Sequence, residues 1–353
     1  MENLFGEVIA RARELQSEDI QIFPQSDHYQ VLLRTATGIE EIMTLTDEIG
    51  LRLIRFLKYR SNMDTGERRI PQDGSFVYQE GEVPIELRLS SIANYRLEES
   101  LVIRLLYSQK DHKPFLEDLD PSSYRALSRA MQKQSGLIIF SGPVSSGKTT
   151  TMYELLRENY EKKRRSVITM EDPVEIKDDR FLQTQINRAA GVDYDQLIKA
   201  SLRHHPDILL IGEIRDAQTA RMTIRAALTG HLVLATIHAK DCVGVIGRLK
   251  ELGITNEQLI QTLLIISSQR LVPCQNPHPS QHDRICLIEW MAGQTIASVV
   301  VHGQVPPSMT TLNQKLKEAR EQDVISQRTF QEYYLEENYP LRNYQQLDQS
   351  APS

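Results

Sequence analysis

The spacing of hydrophobic positions along this chain changes several times, and each change predicts an element. Residues 2–16 place Leu4, Val8, Ile9, Ala12 and Leu15 on one side of a helix. Runs of strand length follow at 20–23 and 29–34, separated by Pro24-Gln25-Ser26-Asp27. Residues 39–58 space their apolar positions as a helix does, with Gly50 as a break. Residues 76–78 and 85–91 alternate like a hairpin around Glu80-Gly81-Glu82, and 100–107 is a further strand. This order predicts a small α+β domain over residues 1–107. The polar stretch 108–121, with Pro114 and Pro121, reads as a linker. From Ser122 the pattern becomes alternating helix and apolar strand, with strand-length runs at 137–140, 167–170, 208–211 and 232–236. Their lack of polar interruption predicts an α/β domain over 122–275, with a parallel sheet covered on both faces. After about Lys250 the chain turns helical, most clearly at 257–271. Residues 276–353 are expected to form a helical subregion with a loose polar tail from Gln345.

Composition narrows the class. The 353 residues are 40% apolar and 25% charged, as in a soluble globular protein of two domains. With 41 basic and 47 acidic residues the net charge is −6, which weighs against nucleic acid as a direct substrate. The basic cluster Lys162-Lys163-Arg164-Arg165 is short and reads as the favourable end of a helix. No apolar run is long enough to cross a bilayer, and the N-terminus lacks the pattern of a signal peptide, so a cytoplasmic protein is expected. Cys242, Cys274 and Cys286 make no disulfide framework. Cys274 and Cys286 lie near His278 and His282, but the spacing fits no common metal site, so no zinc is expected.

The sharpest chemical signal is Gly142, Pro143, Val144, Ser145, Ser146, Gly147, Lys148, Thr149 and Thr150, which fits G-x-x-x-x-G-K-[ST]. An apolar strand precedes it and a helical pattern follows. Such a loop wraps an anion with backbone N–H groups. Lys148 would reach the β- and γ-phosphates of ATP, and the Thr149 hydroxyl would ligate Mg²⁺.

Hydrolysis needs a carboxylate as well. Residues 208–211 form a buried strand from whose carboxyl end Glu213 emerges, on the edge where ligands sit in doubly wound sheets. Gly212 stands where an aspartate usually follows such a strand, so Glu213 is assigned to the water or the metal. The strand at 167–170 ends in Glu171-Asp172-Pro173. Glu171 and Asp172 could ligate Mg²⁺ through water, polarise the attacking water, or form a solvated turn. His238 closes the strand at 232–236 and could hydrogen-bond the γ-phosphate and report its loss; His231 flanks the same strand.

These segments, in this order, resemble the secretion and type IV pilus ATPase superfamily. Residues 168–175 are similar to its aspartate box, 207–216 to its Walker B segment, and 229–238 to its histidine box. Residues 267–272, Ser-Ser-Gln-Arg-Leu-Val, match a helix-end signature of the family. In the first half, 17–24 and 67–74 are similar to two further signatures, though Ser75 stands where an arginine often follows. Segments around Arg88 and Arg104 match those whose arginines approach the nucleotide in the family. The resemblance covers about residues 15–275. It implies a RecA-like P-loop NTPase domain preceded by a small PAS-like α+β domain, assembled as a homo-hexamer. Arg88 and Arg104 would neutralise phosphoryl charge, with ordinary ion pairing as the alternative, and Arg215 would be a candidate for a subunit contact. The partner implied is a polytopic membrane platform protein, with the ring peripheral at the inner face of the cell membrane. The C-x-x-C zinc motifs of the large secretion ATPases and the A-I-R-x-x-I-R-E run of retraction ATPases are not found. Within the superfamily the sequence is therefore most similar to the Gram-positive competence pseudopilus assembly ATPases, which serve DNA uptake in transformation.

Overall fold

A computed structural model describes residues 1–35, 38–80, 83–106, 116, 119–187, 190–275, 284–303, 305–307 and 309–335. The chain divides into two compact units, Met1–His112 and Lys113–Ser353. Most of the expected linker 108–121, Gly81 and Glu82 of the expected turn, His278 and His282, and the tail from Gln345 lie outside the described residues.

In the first unit α1 (Glu2–Glu14) precedes β1 (Asp19–Pro24), β2 (His28–Thr35) and β3 (Gly38–Thr46). Helix α2 (Asp47–Arg60), β4 (Gln72–Glu80), β5 (Val83–Ala93) and β6 (Glu99–Leu106) complete it. The sheet runs β3-β2-β1-β6-β5-β4, antiparallel throughout. Alternate residues Ile20, Ile22, Val31, Leu33, Leu87 and Ile103 turn to a core with Phe5 and Ile9 of α1 and Leu53, Ile54 and Leu57 of α2. A charged pair lies inside this unit: Lys58 Nζ donates to Glu99 Oε1 at 2.5 Å and to the Glu67 carbonyl at 2.6 Å.

The expected helix over 39–58 is corrected here. Its first part is the edge strand β3, and the helix begins only where the Thr46 hydroxyl accepts from the Ile49 amide. The register against β2 shifts between Val31 and Leu32, so Ile42 is an extra residue in β3. Such a bulge breaks the period of two, and apolar Ile39, Ile42, Met43 and Leu45 then mimic helical spacing. Gly50 does not break α2. It lets the helix lie on Tyr29, whose ring would sit 2.5 Å from any Cβ there.

The second unit opens with α3 (Pro121–Met131), β7 (Gly136–Ser141), α4 (Lys148–Lys162), β8 (Val167–Glu171), β9 (Leu182–Gln185) and α5 (Tyr194–Ser201). Next come β10 (Ile208–Ile211), α6 (Ala217–Leu228), β11 (Leu232–Ile237), α7 (Cys242–Glu251), α8 (Asn256–Thr262) and β12 (Leu263–Pro273). It closes with β13 (Arg284–Ala292), α9 (Gln294–His302), α10 (Leu312–Glu321) and α11 (Gln327–Tyr333). The sheet order is β13-β12-β7-β11-β10-β8-β9, parallel except for β13. Ile138, Phe140, Leu210 and Leu234 pack under α3 and α4. Leu137, Ile139, Leu209 and Val233 pack under α5 to α9. Both faces are covered, which is why these strands read as unbroken apolar runs. Each buried side chain contributes on the order of 2 kcal/mol.

The expected helix over 257–271 is also corrected. Helix α8 ends at Thr262, and Leu263-Leu264-Ile265-Ile266 enters β12 beside β7. A short apolar run buried on both sides has no period that separates strand from helix. The signature at 267–272 is thus strand, and β13 carries the sheet past residue 275, where a helical subregion was expected to begin.

Candidate nucleotide site

Strand β7 ends at Ser141, and the loop 142–147 leads directly into α4. Gly142 has φ 141° and Gly147 has φ 83°, both in the region glycine tolerates. At Gly142 a Cβ would lie 2.4 Å from the Gln269 carbonyl oxygen, so no side chain fits. Helix α4 has no side-chain cap at Gly147, which leaves the amides of its first turn for an anion. The Ser146 hydroxyl is buried and finds no partner among the described residues. Lys148 Nζ donates to the carbonyls of Gly142 at 3.0 Å and Pro143 at 2.7 Å. Burial lowers the Lys148 pKa, and Glu213 and Glu175 oppose that shift. A triphosphate would take over the role of those carbonyls and restore charge balance. The open helix end, the unpartnered hydroxyl and the glycine cradle all fit such a ligand. Pro143, Val144, Ser145, Thr149 and Thr150 complete the turn and the first helical residues, with Val144 exposed.

The sheet order puts β11 between the loop-bearing β7 and β10. His238 therefore leaves the sheet beside the residues that follow β10. His238 Nε2 lies 3.2 Å from Glu213 Oε1, and Arg215 Nε donates to Glu213 Oε2 at 2.5 Å. Arg215 also approaches Asp172, at 3.7 Å. Glu213, Asp172, His238 and Arg215 thus form one cluster at the carboxyl edge. The Tyr194 phenol lies close by, and burial raises its pKa.

Glu171 is enclosed within the fold, whereas facing water or metal, or a solvated turn, were the readings open for it. It is 4% exposed and accepts from Tyr153 Oη at 2.6 Å and Thr169 Oγ1 at 2.7 Å. Burial raises its pKa, with the hydroxyl donors opposing. Its carboxylate joins β8 to α4. Tyr153 and Gln183 come from α4 and β9, so nothing in the sequence marked them as its partners, whereas Thr169 shares its strand face two residues back. His231 Nδ1 lies 3.3 Å from both the Ala226 carbonyl, to which it can only donate, and the Thr229 hydroxyl. Asp207 accepts from the Ser166 amide at 2.8 Å, closing the start of β10 against β8. Cys286 is buried in β13 and Cys274 is half-buried.

In the N-terminal unit, Arg88 and Arg104 are cross-strand neighbours on β5 and β6. Arg104 is in turn opposite Asp19 of β1, which lies opposite Arg34 of β2. Arg104 Nε donates to Asp19 Oδ1 at 2.9 Å, Arg34 lies 3.9 Å from the same carboxylate, and Arg88 lies 3.8 Å from Glu86. Like charges set opposite one another cost stability unless carboxylates intervene, and here Asp19 and Glu86 do so.

The chain matches the family described as type II/IV secretion system protein over residues 1–332. It belongs to that family. It is 41% identical over 273 residues to the competence protein ComGA of Streptococcus pneumoniae, covering 77% of this chain and 85% of the relative. It is 39% identical to ComGA of Bacillus subtilis over 279 residues, 78% of each chain. Among solved structures, the Legionella pneumophila ATPase DotB superposes with a TM-score of 0.74 at 20% identity, covering 93% of this chain and 94% of that one. The pilus retraction motor PilT with bound ADP gives 0.67 at 24% identity, covering 93% and 96%. These two likenesses establish the fold. Family membership makes the chain an ATP-hydrolysing motor ATPase. Among the described residues no helix is long and apolar enough to cross a membrane.

Proposed function

We propose that this ATPase powers assembly of a type IV pilus-like competence pseudopilus for DNA uptake. The observation that carries the hydrolytic reading is Glu213, held between Arg215 and His238 on the sheet edge shared with the phosphate loop. The similarity to two ComGA proteins over most of their length supports the competence assignment.

In this reading residues 142–150 bind the triphosphate, Glu213 orients the attacking water, and His238 responds to loss of the γ-phosphate. Thr149 would hold Mg²⁺, which would supply positive charge to neutralise the phosphates. Arg88 and Arg104 are proposed to offer guanidinium charge to the transferring phosphoryl group, in the same chain or a neighbouring one. The N-terminal unit, an antiparallel sheet with two helices, is read as PAS-like. The protein acts as a homo-hexamer in the cytoplasm, peripheral at the inner face of the cell membrane, against a polytopic platform protein. DNA is not its direct substrate.

The test is mass in solution with and without a non-hydrolysable ATP analogue, alongside ATPase rate with and without single-stranded DNA. A nucleotide-stabilised hexamer whose rate ignores DNA supports the proposal. A persistent monomer overturns the hexamer, and strong salt-sensitive stimulation by DNA overturns the proposal in favour of a translocase.

A further inference from the structure

The Ser-Ser-Gln-Arg segment of β12 has no part in the chemistry above, yet it lies directly beneath the phosphate loop. Gln269 is fully buried. Its Nε2 donates to the Ser146 carbonyl at 2.6 Å and lies 3.3 Å from Thr151 Oγ1. Its own carbonyl oxygen occupies the space a Cβ on Gly142 would need, and it accepts from Arg270 Nη1 at 2.9 Å. Arg270 then reaches across the sheet, donating through Nη2 to the carbonyl of Lys240. Lys240 is two residues beyond His238, and Ser141 Oγ fixes the intervening Ala239 carbonyl at 3.1 Å.

Arg270 is 7% exposed, and among the described residues its hydrogen bonds go to carbonyls, with no carboxylate at ion-pair distance. A buried cation so placed is a poor source of stability, since an apolar side chain of like size would serve packing as well. What the arrangement does supply is a continuous connection. It runs from Ser146 through Gln269 and Arg270 to Lys240, and so to the histidine that faces Glu213. We propose that Gln269 and Arg270 form a positioning brace coupling the phosphate loop to the segment carrying His238. Neither touches the reacting atoms. Their role is to make the geometry at Glu213 depend on what the loop holds. The inference rests on the nucleotide-site reading above.

Hydrogen–deuterium exchange of the full chain, with and without a non-hydrolysable ATP analogue, tests it. In the wild type the analogue is expected to slow exchange both in 142–150 and in 238–241. In Arg270→Met the first response should persist and the second should vanish. The kcat should fall roughly ten- to hundredfold, the scale of one buried charge-assisted hydrogen bond. Nucleotide affinity should change less than about threefold, because the loop amides and Lys148 remain. Arg270→Lys, which keeps the charge and one of the two carbonyl contacts, should recover part of both readouts. Should Arg270→Met not fold, Gln269→Met carries the test, since it removes the Ser146 bond at similar volume, and the same loss at 238–241 is expected. A wild-type response at 238–241 in a folded variant overturns the brace. If the wild-type loop itself fails to respond, the nucleotide-site reading falls, and the brace with it.

Discussion

Replacing Tyr153 by Phe tests the placement of Glu171 and separates structural from catalytic roles for that carboxylate. The change deletes one hydroxyl. Glu171 loses its 2.6 Å donor, and Gln183 Nε2 loses an acceptor at 2.5 Å but keeps the Ile176 carbonyl at 2.7 Å. The ring stays, with its tilted contact to Phe181 at 6.2 Å. The loss is therefore mainly one hydrogen bond to a buried carboxylate, about 1.5–3 kcal/mol. For a unit the size of residues 113–353 that lowers Tm by roughly 3–12 °C. Thr169 still donates to Glu171, so the carboxylate remains in place and β8 still ends at the same edge. Thermal and urea unfolding, with steady-state ATPase measured well below the transition, give both readouts. Lower stability with kcat within about threefold of wild type is expected, since no group in contact with Glu213 has changed. An unchanged Tm with a collapse in kcat would refute the reasoning and return Glu171 to the chemistry.

Glu171→Gln should alter the pH dependence of stability. The folded-state pKa of Glu171 is raised by burial, so between its unfolded value near about 4.3 and the folded value the native state binds the extra proton. Stability of the wild type relative to Glu171→Gln should accordingly decline as pH rises through that window and level off above it. Urea midpoints across pH measure this, and a difference that grows with pH would contradict it. Glu213→Gln should keep ATP binding and lower kcat by roughly 10²–10⁴, the range for a positioned proton acceptor; turnover at the wild-type rate would remove Glu213 from the mechanism. Lys148→Ala should weaken binding of a fluorescent ATP analogue and abolish turnover, and normal hydrolysis in that variant would sink the phosphate-loop assignment.

Much of the catalytic unit was legible because its signals are local. The loop 142–150 and the buried runs at β7, β8, β10 and β11 are written in consecutive residues, and both-face burial leaves them almost without polar interruption. What escaped depends on pairing. The bulge at Ile42 and the entry of Leu263 into β12 are set by the neighbouring strand, and no window of sequence records which strand that is. The same holds within the site. Glu171 and Asp172 are adjacent in sequence, yet one carboxylate is buried against Tyr153 and the other lies near Arg215. Successive residues at a strand end diverge, so a dipeptide of acids is not a pair of acids in space. Gln269 and Arg270 were visible as a motif but were assigned to a helix end, which hid their reach towards both Ser146 and Lys240.

The residue before Glu213 shows how backbone constraint positions the carboxylate. An aspartate at 212 would be the usual choice, but here a Cβ would meet Tyr194 Oη at 3.0 Å, the Met170 carbonyl at 3.1 Å and Glu171 Cα at 3.2 Å. Gly212 instead donates its amide to Met170 at 2.8 Å, and its carbonyl accepts from Thr236 Oγ1. The Ile214 amide donates to the Thr236 carbonyl at 2.9 Å. Strand end β10 is thus tied to β8 on one side and β11 on the other, with Glu213 between two fixed points. Its carboxylate pairs with Arg215 on one oxygen and with His238 on the other. Arg215 and His238 are both about half exposed, so these partners can change without disturbing the core. On the proposal that Glu213 serves hydrolysis, a rigid backbone with solvent-accessible charge partners suits it, because the acid would hold its place while its electrostatic surroundings change with phosphate release.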